Sequence, residues 1–310
     1  MDLHRKSAPH PIIRDLLTRL EPRANSVLIT IFGDAVLPRG GTIWLGSLII
    51  LADTLLIAER LVRTGVYRLS REGWLKSQSR GRRAYYTLTE TGFEKFHEAQ
   101  RRIYGIEPVA WDGEWRLVQI LPSLPQAARQ ALRRELGWLG FGQIGQTLFA
   151  HPTERTVTIA KALSHHNSVA HTLTFRAELA DFVQADLVHQ VVQTAWGLEA
   201  LNQDYSHFLD TFAPLDALLE DTSLSPADAF ALRILIVHDY RRVLLKDPVL
   251  PEQLLPPGWL GEEARTLAAR LYRKIAASAD SFLVSNLETP DGIIPPLSAA
   301  YARRFGGIEI

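Results

Sequence analysis

The stretch Leu51 to Tyr86, LADTLLIAERLVRTGVYRLSREGWLKSQSRGRRAYY, most restricts what this chain can fold into. Val62, Gly65, Val66 and Leu69 recur at i, i+3, i+4 and i+7, while Arg60, Arg63, Thr64, Tyr67 and Arg71 fall on the opposite side. That spacing predicts a helix with one face to bury and one face meant for something negative. A shorter helix over about Ser47 to Thr54 and a tight turn precede it. Gly73, an apolar run from Trp74, the basic turn Gln78-Ser79-Arg80-Gly81-Arg82-Arg83 and a strand-like Ala84 to Leu88 follow. Helix, turn, basic helix and basic-tipped hairpin are the order of a winged helix-turn-helix. Its second helix enters the major groove, where Arg and Thr side chains reach base edges, and cations on the hairpin follow phosphates or the minor groove. The DNA-contact candidates are therefore Arg60, Arg63, Thr64, Tyr67, Arg68, Lys76, Arg80, Arg82 and Arg83. The turn carries Leu56 where glycine is common, so its backbone is expected in ordinary dihedral space, with the turn one residue longer.

Charge distribution agrees with that reading although net charge is zero. Residues 1–104 hold 17 Lys and Arg against 10 Asp and Glu; residues 105–310 hold 17 against 24. From Ala58 to Arg83 only Glu59 and Glu72 oppose eight cations. A basic module on an acidic body binds nucleic acid through one end. The 310 residues allow two or three domains, and a 46% hydrophobic composition supplies their cores. There is no cysteine, hence no disulfide and no thiolate metal site. The first twenty residues lack the apolar core of a signal peptide, and no apolar run approaches a membrane span, so a cytoplasmic protein with no membrane partner is expected.

The expected fold is multidomain α+β: a winged-helix domain over residues 1–104, a ferredoxin-like central unit over 109–178 serving dimerisation or spacing, and an all-helical C-terminal domain and tail over 181–310. Residues 1–23 read as an arm or short docking helix. Asn25 or Ser26 caps a helix with the stripe Leu28, Ile31, Phe32, Ala35 and Val36. Thr91-Gly92-Phe93-Glu94 reads as a capping box opening a helix to about Tyr104, and Gly105-Ile106-Glu107-Pro108 as a linker. Strands at Glu114 to Leu121, Phe141 to Phe149 and Val169 to Phe175 alternate with helices at Ser123 to Gly137 and Thr153 to Leu163. Beyond Asp181 the pattern is helical, with Ser225-Pro226 opening one helix and a last one from about Glu262 to Ala279. The segment after Pro290 is Pro- and Gly-punctuated, a packed or a disordered tail.

Several stretches resemble one family. Glu59 to Leu69 (ERLVRTGVYRL), Gly73-Trp74-Leu75, Gly81 to Tyr86 (GRRAYY) and Arg102-Ile103-Tyr104 resemble the PaaX family of phenylacetate-degradation repressors. So do Gly140-Phe141-Gly142 and the run from His238-Asp239-Tyr240-Arg241-Arg242 through Asp247-Pro248 to Leu255-Pro256-Pro257-Gly258-Trp259. The resemblance covers residues 24–285. It implies a homodimeric repressor on double-stranded operator DNA, released by phenylacetyl-coenzyme A or a related aromatic acyl-coenzyme A, and a middle domain similar to the CRISPR adaptation nuclease fold. In this chain the recognition helix opens with Ile57 and Ala58, where the family commonly has a small polar residue.

The remaining candidates weigh against enzymatic chemistry. Gly140-Phe141-Gly142-Gln143-Ile144-Gly145 matches the dinucleotide pattern, but helix precedes strand, which reverses the required order and indicates a tight turn; no cofactor is expected. His151, His165, His166 and His171 read as loop histidines, with no carboxylate evident to complete a metal set. A nuclease needs an acidic residue at the end of its first strand, and there the sequence is Leu121-Pro122-Ser123. Asp239 falls in an apolar stripe and must be paired, by a structural arginine or as the organiser of Arg241 and Arg242 beside an acyl-coenzyme A phosphate. Trp196, Tyr205 and Phe208 read as core or as walls of an aromatic acyl pocket. The effector candidates are thus Trp196, Tyr205, Asp239, Arg241 and Arg242. Two alternatives to a ligand-relieved repressor stay open: a metal-dependent nucleic-acid-processing enzyme and an effector-independent DNA-binding scaffold.

Overall fold

The computed structural model describes residues 8–105, 110–154, 156–292 and 294–308. The first seven residues of the arm and the linker beyond Gly105 lie outside the described residues. The rest of the arm forms α1 (Pro11–Leu20), a docking helix: His10 Nδ1 accepts from the Ile12 amide, Pro11 opens the helix, and Ile13 and Leu16 are buried. The His10 amide donates to Asp228 Oδ1 at 2.9 Å.

Next comes α2 (Ala24–Ile31), which runs on through a π-helical turn at Phe32–Val36 and a 3-10 turn at Leu37–Arg39. The expected cap is absent. Arg23 precedes the helix without a side-chain bond, and the Ser26 hydroxyl instead accepts from Arg241 at 3.0 Å. There follow β1 (Thr42–Trp44), α3 (Leu45–Asp53), α4 (Glu59–Arg71), β2 (Leu75–Arg80), β3 (Arg83–Leu88) and α5 (Glu90–Tyr104). The three strands pair antiparallel in the order β1-β3-β2. Strand β1 is too short to show an alternation in sequence and was not expected.

Two local expectations are corrected. Leu56 takes φ +56°, in the left-handed region and not in ordinary dihedral space, within the connection 54–58 between α3 and α4. The amide of Leu56 donates to Asp53 O and that of Ile57 to Ala52 O, the bond pair that closes a helix with a left-handed residue. Those bonds and the burial of Ile57 offset the roughly 1–2 kcal/mol that Leu costs there. Helix α5 opens two residues before the proposed capping box, because the Thr89 hydroxyl accepts from the Gly92 amide at 3.0 Å.

The central region reads β4 (Trp115–Ile120), α6 (Gln126–Trp138), β5 (Gly142–Gln143), β6 (Leu148–His151), α7 (Thr156–His165) and β7 (Thr172–Ala177). The order β5-β6-β4-β7, all antiparallel, is the ferredoxin-like β-α-β-β-α-β arrangement. The strand expected over Phe141 to Phe149 is instead a hairpin, folded back through 144–147. Val118, Ile120 and Phe149 from the sheet, Leu132 and Leu136 from α6 and Ile159 and Leu163 from α7 form one buried cluster.

Helices follow: α8 (Ala185–Trp196), α9 (Leu198–Phe212), α10 (Pro214–Asp221), α11 (Pro226–Leu244), α12 (Gly261–Asn286) and α13 (Ala299–Ala302). Helix α12 continues seven residues past the expected Ala279, since nothing breaks it and its buried Asp280 is paired with Arg39 at 2.7 Å. The tail is packed, with Tyr301, Arg304, Phe305 and Ile308 buried. No described helix is long and apolar enough to cross a membrane.

By contact the chain divides into two compact units. One contains residues 1–106, 206–245 and 262–310; the other contains 107–205 and 246–261. In the first unit α11 is buried almost all round, packing on α1, α2 and α5. At its centre the fully buried Asp34 accepts from Arg233 Nε (2.7 Å), Arg304 (2.9 Å), Tyr104 (2.7 Å) and Tyr272 (2.9 Å). Burial pushes the Asp34 carboxyl up, but the two guanidiniums and the two phenols outweigh it and hold it below its ordinary value.

Candidate nucleic-acid interface

Helix α4 stands on its apolar face. Val62, Val66 and Leu69 are buried, and a β-carbon on Gly65 would lie 2.3 Å from Leu28 Cδ1, so glycine is what lets α4 approach α2 this closely. The other face is open: Arg60, Arg63, Thr64, Tyr67, Arg68 and Arg71 are all exposed, Tyr67 at 64%. Arg63 and Arg68 are held extended along the helix by Glu59 (2.7 Å) and Glu72 (2.8 Å), each four residues away. Such exposed pairs are worth a few tenths of a kcal/mol, little enough for a phosphate to displace. The Thr64 hydroxyl donates to Arg60 O at 2.9 Å, leaving its methyl and oxygen lone pairs outward. Arg60, Arg71 and Arg82 have no ion-pair partner among the described residues.

The hairpin β2–β3 closes through Gly81, at φ +60°, and Arg82, a two-residue turn of the kind that matches strand twist. Lys76, Arg80, Arg82 and Arg83 are exposed along it. Two of them are already engaged. Arg80 donates to Pro290 O and to Asp291 Oδ1, both at 3.1 Å. Arg83 pairs with Glu288 and lies over the Trp44 ring at 4.7 Å, while Tyr85 donates to the same carboxylate at 3.2 Å. Glu288 is itself fixed, its amide donating to Ser47 Oγ and its carbonyl accepting from the Trp44 amide. The segment after α12 thus braces β1, β3 and the first helix of the pair. Sequence reasoning missed Trp44, Glu288 and Asp291, because nothing local links an acidic residue near Pro290 to a hairpin some two hundred positions earlier.

The effector candidates divide between the two compact units. Trp196 and Tyr205 belong to the second unit, Asp239, Arg241 and Arg242 to the first. Trp196 donates to Gly140 O at 2.7 Å and lies so close to Gly142 that a β-carbon there would sit 2.4 Å from the ring, which explains the glycines of that helix-to-strand turn. Tyr205 is buried and donates to Asp247 Oδ2 at 2.6 Å, edge-on to Trp259. Asp239 is buried and paired with Arg242 at 3.0 Å, the arginine partner its burial requires. Arg241 is turned the other way, onto Ser26, and burial lowers its pKa. Only Arg242 keeps an exposed guanidinium.

Two of the four singled-out histidines are structural. His151 Nδ1 accepts from the amides of Thr153 (3.0 Å) and Glu154 (2.8 Å), and burial lowers its pKa to about 4. His171 shares a hydrogen bond with Ser123 Oγ at 2.9 Å. The other two are not the isolated loop histidines expected. His165 ends α7, and both it and His166 reach Glu135 on α6, a carboxylate thirty positions earlier that the sequence reading did not connect with them.

Residues 23–92 match the family described as PaaX-like protein, residues 108–188 the PaaX protein central Cas2-like domain, and residues 196–285 the PaaX-like protein C-terminal domain. The chain belongs to the PaaX family. The Transcriptional repressor PaaX of Escherichia coli (strain K12) is 36% identical over 287 residues, covering 92% of this chain and 90% of that protein. A solved structure, the uncharacterized protein Rv0674 from Mycobacterium tuberculosis, is 22% identical with a TM-score of 0.47, over 75% of this chain and 89% of that one. In this PaaX-family chain the matched N-terminal region contains α3, α4 and the hairpin, and the matched central region contains the ferredoxin-like sheet.

Proposed function

We propose that this chain is a DNA-binding transcriptional repressor of an aromatic, phenylacetate-type catabolic operon, a regulator and not an enzyme. It reads double-stranded operator DNA through a winged helix-turn-helix, with α3 and α4 as the helix pair and β2–β3 as the wing. The observation that carries the reading is the outward row on α4: Arg60, Arg63, Thr64 and Tyr67 exposed on one face of a helix whose opposite face is buried. Arg68, Lys76, Arg80, Arg82 and Arg83 are assigned to phosphates.

The repressor acts as a homodimer on a two-fold operator. Support comes from the sheet of the central unit. Its edge strand β7 is open, and Leu173 and Phe175 are each nearly half exposed on the face away from the helices, beside Leu117. Release by an aromatic acyl-coenzyme A is the second part of the proposal and rests on family membership, with Arg242 the candidate for a phosphate contact.

The test is fluorescence anisotropy on duplex from the regulated promoter, with and without EDTA. Binding that persists in EDTA with intact probe, falls steeply with salt, and is reversed by phenylacetyl-coenzyme A is expected. Salt-insensitive binding, or cleavage of the probe when Mg2+ is added, rejects the repressor reading. Operator binding unchanged by the acyl-coenzyme A rejects the effector alone.

A further inference from the structure

The central unit holds a cluster of metal-capable side chains that the repressor reading does not use and that is independent of it. We propose that Glu135, His165 and His166 bind one divalent transition cation of the zinc class. Both imidazoles converge on the same oxygen, Glu135 Oε2, His165 through Nδ1 at 3.2 Å and His166 through Nε2. One ligand atom from each residue lies within 4.8 Å of the other two. Zinc at about 2.0–2.1 Å from nitrogen and oxygen spaces tetrahedral ligand atoms roughly 3.4 Å apart, within the 4.8 Å that these three atoms span, so small side-chain adjustments admit the ion.

The presentation is built rather than incidental. At the end of α7 the Asn167 amide donates to Ser164 O and the Ser168 amide to Leu163 O, with Asn167 left-handed at φ +50°. Ser168 is fully buried and its hydroxyl donates to His166 O at 3.0 Å. The backbone that carries the two rings is therefore fixed. Glu135 is held equally well, one residue before Leu136 in the buried cluster under α6. The two rings reach the carboxylate through different nitrogens, Nδ1 on His165 and Nε2 on His166.

Donor chemistry selects the ion. Two imidazoles and one carboxylate favour Zn2+, Ni2+, Co2+ or Cu2+ over Mg2+ and Ca2+, which want oxygen only. Glu135 and His166 are mostly covered, whereas the His165 side chain is 74% exposed, so water completes the fourth position from that side. The ion would tie α6 to the end of α7, the two helices that cover one face of the sheet, and would stabilise that layer by mass action.

The test uses tag-free full-length protein titrated with Co2+ and then with Zn2+, because the chain has ten histidines and stoichiometric uptake alone does not locate the ion. One equivalent of Co2+ giving visible d–d bands, displaced by Zn2+, and a melting temperature raised by Zn2+ are expected. His165→Ala, at an exposed position that leaves the fold intact, should weaken binding by about tenfold or more, and His165→Ala/His166→Ala should abolish both the bands and the thermal shift. No saturable one-to-one binding, or binding unchanged in His165→Ala, overturns the proposal. Operator binding by the metal-free protein is measured alongside; its loss would count against the repressor reading and not against the site.

Discussion

Arginine is used in two opposed ways in the first compact unit, and the contrast explains much of the molecule. On α4 and the hairpin, Arg60, Arg63, Arg68, Arg71, Arg80, Arg82 and Arg83 are exposed. Around Asp34, the side chains of Arg233 and Arg304 are 0% and 2% exposed. The exposed set is either unpaired among the described residues or held by carboxylates that water already solvates, so a DNA phosphate can replace them at small cost. The buried set cannot give up its partners, since a guanidinium stripped of its carboxylate inside a protein costs several kcal/mol. Arg39, paired with Asp280 near the hairpin, belongs with the second group. Charge available for recognition and charge committed to structure therefore lie within one unit, separated by burial and not by residue type.

The largest effect expected from breaking this contrast is at its buried pole. Asp34→Ala leaves two buried guanidiniums uncompensated and should cost about 3–5 kcal/mol or abolish folding, read by chemical denaturation. A loss below about 1 kcal/mol would mean that the cluster is solvated. Acid is the next probe. Burial lowers His238 to about 3 and His151 to about 4, below the unfolded value of about 6.5, so the unfolded chain takes up each proton first. Stability should be complete above pH 6.5 and fall as pH drops toward 4, by up to about 1.4 kcal/mol per pH unit for each histidine. Denaturation midpoints flat between pH 7 and 5 would contradict this.

At the exposed pole the effects are smaller and fall on binding. Arg63→Ala should weaken operator affinity by about 1–3 kcal/mol and relax one base pair, without moving the melting temperature. Arg82→Ala should instead weaken all duplexes alike and reduce the salt slope by about one. If Arg63→Ala lowered stability as Asp34→Ala does, the separation of the two roles would fail. Smallest of all, Leu56→Gly relieves a left-handed leucine that is 60% exposed and should stabilise by about 1 kcal/mol or less, with operator affinity unchanged. A change in affinity would show that the exact turn sets the angle of α4.

Much of the exposed cationic face of α4 was legible because it is local. The 3.6-residue spacing of Val62, Gly65, Val66 and Leu69 defines both faces of α4 at once, and Gly81 places the hairpin turn. The ferredoxin-like order was legible for the same reason, from alternating strand and helix patterns. What failed to show is what depends on distant partners. Leu56 could be read only by residue preference, which the helix-closing bonds override. The pairing of Arg83 with Glu288 and of Glu135 with His165 and His166 follows from tertiary approach and leaves no trace in spacing. Nothing in the sequence singles out Arg233, since periodicity does not distinguish a guanidinium facing Asp34 from one facing water.

The Asp34 cluster also bears on how the protein comes into being. Its two guanidiniums lie 199 and 270 positions further along the chain. At synthesis rates of roughly 5–20 residues per second, the second leaves the ribosome about 15–50 s after the carboxylate it neutralises. For that interval the nascent N-terminal region holds Asp34 without its two counter-ions, so an unfinished polypeptide lacks the rigidity that this cluster gives the completed chain.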